Sequence, residues 1–106
     1  MKKLFHTALY LLLMAPATFG FGEDPGETVY KANCAPCHGA NGDSNTLAGK
    51  SFKAPALTNP DIFKKSDDEL IAFAKKGKGQ MPAWDGTLSD DEIKSVITYI
   101  HAFAKK

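Results

Sequence analysis

Two cysteines three residues apart and an adjoining histidine form the part of the sequence with the clearest chemistry. They are Cys34, Cys37 and His38. Thiols at this spacing lie about one helical turn apart, so both can form thioethers with the vinyl groups along one edge of a porphyrin. The imidazole that follows can then bind the iron from the proximal side. The pattern Cys-x-x-Cys-His therefore predicts one covalently attached haem c, with His38 as its first axial ligand.

Two other kinds of site use cysteines at this spacing, a thioredoxin-like redox pair and half of a zinc site. The redox motif accompanies a βαβ pattern, but no alternating β-branched run occurs near these cysteines. A structural zinc site needs four ligands, and the sequence has two cysteines and, beyond its N-terminal segment, only His101 besides His38. The haem interpretation is therefore favoured over both alternatives.

Met81 is the candidate for the second axial ligand. The following residue, Pro82, disfavours helix at Met81 and favours an extended backbone, which can present the thioether to iron. The other two methionines, Met1 and Met14, lie in the N-terminal segment. His101 is the competing ligand, but it falls on the polar face of the predicted last helix, where an exposed histidine is the ordinary interpretation.

The N-terminal segment has the features of a secretory signal peptide. Lys2 and Lys3 precede an uncharged apolar run, and Ala15 and Ala17 supply small residues at the spacing that signal peptidase reads. We assign residues 1–22 to this leader, with cleavage between 17 and 22, and residues 23–106 to a single domain. The alternative is an uncleaved anchor, because residues 4–22 carry no formal charge and about 20 apolar residues span a bilayer.

The composition argues against nucleic-acid binding. The full chain has 13 basic and 12 acidic residues, and loss of Lys2 and Lys3 leaves 11 basic residues against the same 12. All the basic residues are lysines scattered along the chain, without the basic stripe and interleaved aromatic residues of nucleic-acid-binding proteins. A domain of this size is small for a stable apolar core, and a covalently held porphyrin supplies the missing apolar volume.

Capping signals predict three main helices. Asp24 and Pro25 suit the N-cap and the first position of a helix that runs toward Cys34. A capping box at residues 66–69 predicts a second helix, which ends at Gly77. Another capping box at residues 89–92 predicts the last helix, and its apolar residues recur at helical spacing.

Residues 39–59 read as a loop, because Gly, Asn, Ser, Thr and Pro dominate their composition. We expect Leu47, Phe52 and Leu57 to anchor this loop on the haem. Residues 59–61 then predict one short turn that carries Ile62 and Phe63 inward.

These motifs, in this order, resemble those of the class I cytochromes c, specifically the small soluble bacterial ones. The similarity extends over residues 26–104 and includes Gly26, Tyr30, residues 34–39, Pro55, Leu57, residues 79–84 and 88–93, and Tyr99. The resemblance implies an all-α, class I cytochrome c fold, with three main helices and a short turn helix wrapped around one covalently bound haem c. It also implies that the Pro55 carbonyl accepts a hydrogen bond from the second ring nitrogen of His38. The first and last helices are expected to cross at Gly26, beside Tyr30 and Tyr99.

With His38 and Met81 on the iron, no coordination position is left for a substrate, so the chemistry is limited to one-electron transfer. The sequence therefore predicts a monomeric periplasmic electron carrier without catalytic activity, no longer membrane-embedded once its leader is cleaved. Its expected partners are a membrane oxidoreductase as donor and a terminal oxidase or reductase as acceptor. Two alternatives stay open, a tightly bound haem subunit of a larger dehydrogenase or sulfur-oxidising complex, and a haem-based sensor in which a ligand displaces Met81.

Three lysines precede the methionine loop, namely Lys75, Lys76 and Lys78. In a class I fold they would flank the exposed haem edge, so we expect them to steer docking to an acidic patch on the partner. The alternative is that they serve solubility alone.

Overall fold

The computed structural model describes residues 24–105, and the predicted leader with its cleavage site lies outside these residues. Helix α1, Pro25–Asn33, opens the described part. Its N-cap is Asp24, whose carboxylate accepts a hydrogen bond of 2.8 Å from the backbone nitrogen of Gly26. Pro25 occupies the first helical position, where its missing N–H leaves no hydrogen bond unmade. The helix therefore begins at the predicted residue.

The other regular elements of the described chain are also helical. In chain order the further elements are α2 (Ala35–His38), α3 (Leu47–Phe52), a 3-10 helix (Pro60–Lys64), α4 (Asp67–Lys76), α5 (Asp90–Ile100) and a second 3-10 helix (His101–Lys105). Within the described residues, 24–105, the only strand-type pairing is two isolated bridges. The predicted all-α fold is confirmed. None of the helices in this part of the chain has the length and apolarity needed to cross a bilayer.

Both predicted capping boxes are present. Ser66 Oγ accepts a hydrogen bond of 3.1 Å from the Glu69 nitrogen at the start of α4, and Glu69 Oε1 accepts one of 2.9 Å from the Ser66 nitrogen. Ser89 and Glu92 repeat this pair at the start of α5, at 3.1 and 2.8 Å. Helix α4 ends before Gly77, as predicted. Two reciprocal hydrogen bonds at each helix start satisfy backbone groups that would otherwise have no partner.

Helices α1 and α5 cross at Gly26. A methyl group at this position would collide with the carbonyl oxygen of Ser95 and with the Tyr99 side chain, so only glycine permits the close approach of the two backbones. Beside the crossing, the rings of Tyr30, Tyr99 and Phe103 form a cluster with centroids 5.2–5.5 Å apart. The buried residues of α5 continue this core, and they are Ile93, Val96, Ile97 and Ile100.

The segment between α2 and the first 3-10 helix differs from its prediction. Residues 39–59 were predicted to form a loop, yet they contain α3, which Thr46 caps by accepting a hydrogen bond from Gly49 at 2.8 Å. Leu47 is 84% exposed and does not line the apolar cavity described below, so the expectation that it anchors the segment on the haem is wrong. Leu57, which is buried in the core, and Phe52 both line that cavity.

The short turn predicted after residue 59 is the 3-10 helix Pro60–Lys64. Asn59 caps it, because its side-chain oxygen accepts a hydrogen bond of 3.0 Å from the Asp61 nitrogen. Ile62 and Phe63 pack against the core cluster. The turn therefore directs two apolar side chains inward, as the sequence indicated.

Candidate haem site

A cavity of about 570 Å³ lies among the three main helices. This volume is within the range of about 300–1,000 Å³ that is typical of cofactor and small-molecule sites. Its walls are largely apolar and include Leu57, Leu70, Phe73, Ile93, Val96 and Ile97. All five residues predicted for the haem site line this one cavity, namely Cys34, Cys37, His38, Pro55 and Met81.

The junction of α1 and α2 positions the two cysteines. Cys34 ends α1 and also precedes α2, and its backbone nitrogen donates a hydrogen bond of 2.8 Å to the Tyr30 carbonyl. Its own carbonyl accepts a hydrogen bond of 2.9 Å from the nitrogen of His38. The short helix thus carries Cys37 and His38 on a turn anchored to the buried Tyr30. Both cysteines are free, half-buried thiols, and burial raises the pKa of Cys34 to about 11, with a smaller contribution from Cys37.

The ring of His38 is held by a backbone carbonyl. Its Nδ1 lies 3.1 Å from the Pro55 oxygen, which can only accept, so Nδ1 carries the proton and Nε2 is the nitrogen available to a metal. Burial lowers the pKa of His38, and the hydrogen bond to Pro55 opposes this effect. The neutral imidazole is therefore favoured at neutral pH, which is the form that binds iron.

The loop that carries Met81 is fixed by backbone hydrogen bonds. Lys78 and Met81 form a pair of them, at 3.0 and 2.9 Å, around a tight turn. The nitrogen of Trp84 donates to the Ala74 carbonyl at 3.0 Å, which ties the loop back onto α4. Gly77 has φ +73°, and a methyl group there would strike the backbone of residues 81–83. The loop can therefore pass close to the end of α4 only because residue 77 is glycine.

A haem c fits these residues. The cavity combines an apolar wall with two thiols, a neutral imidazole and a thioether, which are the groups needed for covalent attachment and for six-coordinate iron. By contrast, no group of three or more His, Cys, Asp or Glu side chains within residues 24–105 could hold a metal ion.

His101 does not line the cavity. Helix α5 ends at Ile100, so His101 begins the following 3-10 helix. Its Nε2 lies 2.7 Å from Asp67 Oδ1, and its ring stacks on Phe63 with centroids 4.6 Å apart. The half-buried His101 therefore connects the C-terminal turn to the start of α4, rather than projecting freely from a polar helix face as the sequence suggested.

Three residues around the site, Ser44, Phe73 and Trp84, were not assigned to it from the sequence. Ser44 Oγ donates a hydrogen bond of 2.8 Å to the Pro55 oxygen, which is the same atom that His38 contacts. Phe73 and Trp84 also line the cavity. The apolar spacing of α4 is a signal for Phe73, but nothing in the pattern of residues 40–53 marks Ser44.

Comparisons with known proteins agree with this geometry. A family model described as cytochrome C oxidase, cbb3-type, subunit III, matches residues 22–100. Cytochrome c6 of Leptolyngbya boryana is 42% identical over 81 residues, which are 76% of this chain and 92% of that protein. The cbb3-type oxidase subunit CcoP of Azospirillum brasilense is 36% identical over 97 residues, which are 89% of this chain but only 33% of CcoP. The crystal structure of cytochrome c6 from the diatom Phaeodactylum tricornutum has a TM-score of 0.59 and 32% identity, covering 76% of this chain and 92% of that chain.

The fold and the motif thus define a small class I monohaem cytochrome c, an electron carrier and not an enzyme, which binds one covalently attached haem c. The chain belongs to the cytochrome c family that the cbb3-type subunit III model describes. The resemblance inferred from the sequence motifs is confirmed.

Proposed function

We propose that the protein is a periplasmic one-electron carrier in which Cys34 and Cys37 attach the haem and His38 and Met81 are its axial ligands. The observation that carries this proposal is that all four side chains line one apolar cavity of about 570 Å³. The predicted signal peptide supports export to the periplasm. Once both cysteines are thioethers, neither remains available for a disulfide in that oxidising compartment.

When bound, haem c supplies an iron that gains and loses one electron. The residues hold it and set its surroundings. The Pro55 carbonyl orients the His38 ring, and the sulfur of Met81 favours the reduced iron and so raises the potential. The apolar wall keeps water away and lowers the local dielectric constant. With both axial positions filled, the iron would keep no open coordination position for a substrate.

The ligand assignment is tested with a Met81→Ala variant. We expect the near-infrared charge-transfer band between sulfur and ferric iron to disappear, the midpoint potential to fall, and the reduced protein to gain rapid binding of carbon monoxide. Acid-acetone extraction should leave the haem on the wild-type chain. A full near-infrared band in the variant, or a haem that is extracted, contradicts the assignment, while rapid binding of carbon monoxide by the wild-type protein would favour the sensor alternative.

We propose a membrane oxidoreductase as electron donor and a terminal oxidase or reductase as acceptor. Of the lysines expected to steer docking, Lys75 is engaged within the protein, because its Nζ lies 3.0 Å from Asp90 Oδ1. The hydrogen bond to Asp90 raises the pKa of Lys75. Lys76 and Lys78 are exposed, and Lys78 also lines the cavity. The steering role therefore falls to Lys76 and Lys78.

This role is tested by measuring electron transfer to hexacyanoferrate(III), a small anionic acceptor, at increasing ionic strength. Lys76→Glu should flatten the dependence of the rate on ionic strength, because attraction at the haem edge is lost. Lys94→Glu is the matched control, since it changes the charge equally but lies on α5 outside the cavity lining. Equal slopes for the two variants would leave solubility as the function of Lys76.

A second candidate function is that of a tightly bound haem subunit of a larger complex. It is favoured by the similarity to CcoP, a subunit of a cbb3-type oxidase, although this chain spans only 33% of CcoP. Gentle purification from native membranes separates the two possibilities. A free shuttle elutes as a monomer, whereas a subunit elutes at high mass together with other proteins.

A further inference from the structure

The carbonyl oxygen of Pro55 accepts two hydrogen bonds. Ser44 Oγ lies 2.8 Å from it and His38 Nδ1 lies 3.1 Å from it. A carbonyl oxygen has two lone pairs, so both donors can bind at once. Each donor draws electron density from the oxygen, however, and so makes it a weaker acceptor for the other. Both contacts are close to the ordinary length for their donor types, which is about 2.7–2.8 Å for a hydroxyl and about 2.9–3.0 Å for a ring N–H. The Ser44 hydroxyl therefore competes effectively for the oxygen and weakens the His38 bond relative to an unshared acceptor.

The backbone of Ser44 is strained at this position. Its φ is +58°, and only Lys53 shares a positive φ among the non-glycine residues of the described chain. Such a conformation is uncommon for residues other than glycine and persists where surrounding contacts impose it. The Ser44 nitrogen donates a hydrogen bond of 2.7 Å to the His38 carbonyl, and its hydroxyl donates to Pro55. Ser44 is therefore bonded both to His38 itself and to the acceptor of the His38 ring.

We propose that Ser44 is a positioning residue that sets the electron donation of His38 to the iron. A strong hydrogen bond from Nδ1 makes the imidazole more basic and stabilises ferric iron. By sharing the Pro55 oxygen, the Ser44 hydroxyl limits this effect and keeps the midpoint potential higher. The inference rests on the proposed role of His38 as an axial ligand.

The experiment uses the haem-loaded protein with Ser44→Ala and Ser44→Gly. Both remove the hydroxyl, but only glycine also relieves the positive φ. The readouts are the midpoint potential and the NMR chemical shift of the His38 Nδ1 proton in the reduced state. Ser66→Ala is the matched control, because it deletes a serine hydroxyl that caps α4 and does not line the cavity.

We expect both Ser44 variants to stabilise the ferric form about threefold, a fall of about 30 mV at 59 mV per tenfold change. The resonance of the His38 Nδ1 proton should move downfield equally in Ser44→Ala and Ser44→Gly. In Ser66→Ala, the midpoint potential and this chemical shift should both stay at their wild-type values. The proposal is overturned if the potential and the proton shift stay at their wild-type values, if the potential rises, or if alanine and glycine differ in potential, since relief of strain would then be responsible. If the absorption spectrum of the wild-type protein lacks the features of histidine–methionine ligation, the proposed function is refuted instead. Failure of the Ser44 proposal can therefore be distinguished from failure of the proposed function.

Discussion

Replacement of Gly26 by alanine tests the crossing of α1 and α5 on which the cavity depends. The added methyl group would collide with the Ser95 carbonyl, a backbone group that cannot rotate away as a flexible side chain could. Overpacking of this kind costs about 1–3 kcal/mol, and the value should lie at the upper end because the obstacle is backbone. Alanine recovers about 0.5–1 kcal/mol of helix propensity. The net loss is therefore about 2 kcal/mol, or about 8–16 °C in Tm for a domain of this size.

The assay is urea and thermal unfolding of the haem-loaded protein, followed by circular dichroism. Ala32→Gly provides the control, because Ala32 is an exposed residue of the same helix. This variant should lose about 1 kcal/mol through propensity alone. If Gly26→Ala were as stable as the wild type, or more stable, the two helices would not approach as closely as the structure shows, and the reasoning would be refuted.

Three further predictions concern single contacts. Tyr30→Phe removes the hydroxyl that donates to the Gly39 carbonyl at 2.6 Å, and because that carbonyl keeps the Gly42 nitrogen at 3.1 Å, urea unfolding should show a loss of only about 1 kcal/mol. Burial raises the pKa of Tyr30, so above the ordinary tyrosine pKa of about 10 this side chain ionises in the unfolded chain before it does in the folded protein, and stability falls as the pH rises. This fall should be smaller in Tyr30→Phe. Identical pH profiles for the variant and the wild type would contradict the prediction. Ser89→Ala removes the cap of α5 and should cost about 1 kcal/mol in the same assay, whereas Ser89→Asp should retain most of the stability, and equal losses would exclude capping as the cause. Gly77→Ala should weaken the near-infrared sulfur band by displacing the Met81 loop, whereas Gly79→Ala, which shares a positive φ but meets nothing within 4 Å, should lose stability and keep the band; loss of the band in both would point to backbone strain instead of the close approach.

The helix starts could be predicted because their signals are local. A serine and a glutamate three residues apart satisfy each other's backbone groups at Ser66 and again at Ser89, and this exchange needs nothing from the rest of the fold. The chemistry of residues 34–38 is equally local. These features were therefore readable from the sequence alone.

The segment from residue 39 to residue 59 could not be predicted in the same way, because its structure depends on distant partners. Helix α3 is held by Thr46, whose hydroxyl also donates to the Cys37 carbonyl at 2.9 Å, and by the close contact of Gly49 with the same carbonyl. Neither contact requires apolar residues at helical spacing, so the sequence carries no pattern that predicts this helix. The exposure of Leu47 and the hydrogen bond of Ser44 follow from this packing. The ion pair of Lys75 with Asp90 was missed for a related reason, since it joins the end of one helix to the start of another.

The turn that carries Met81 is held by main-chain hydrogen bonds, between residues 78 and 81 and between Trp84 and Ala74. Such bonds are indifferent to which side chain a residue carries, provided that it is not proline. An exposed residue of this loop that does not line the cavity, such as Ala83, can therefore be exchanged to suit a different docking partner while the backbone at Met81 keeps its path. The surface proposed to meet other proteins and the proposed iron ligand Met81 can therefore change independently.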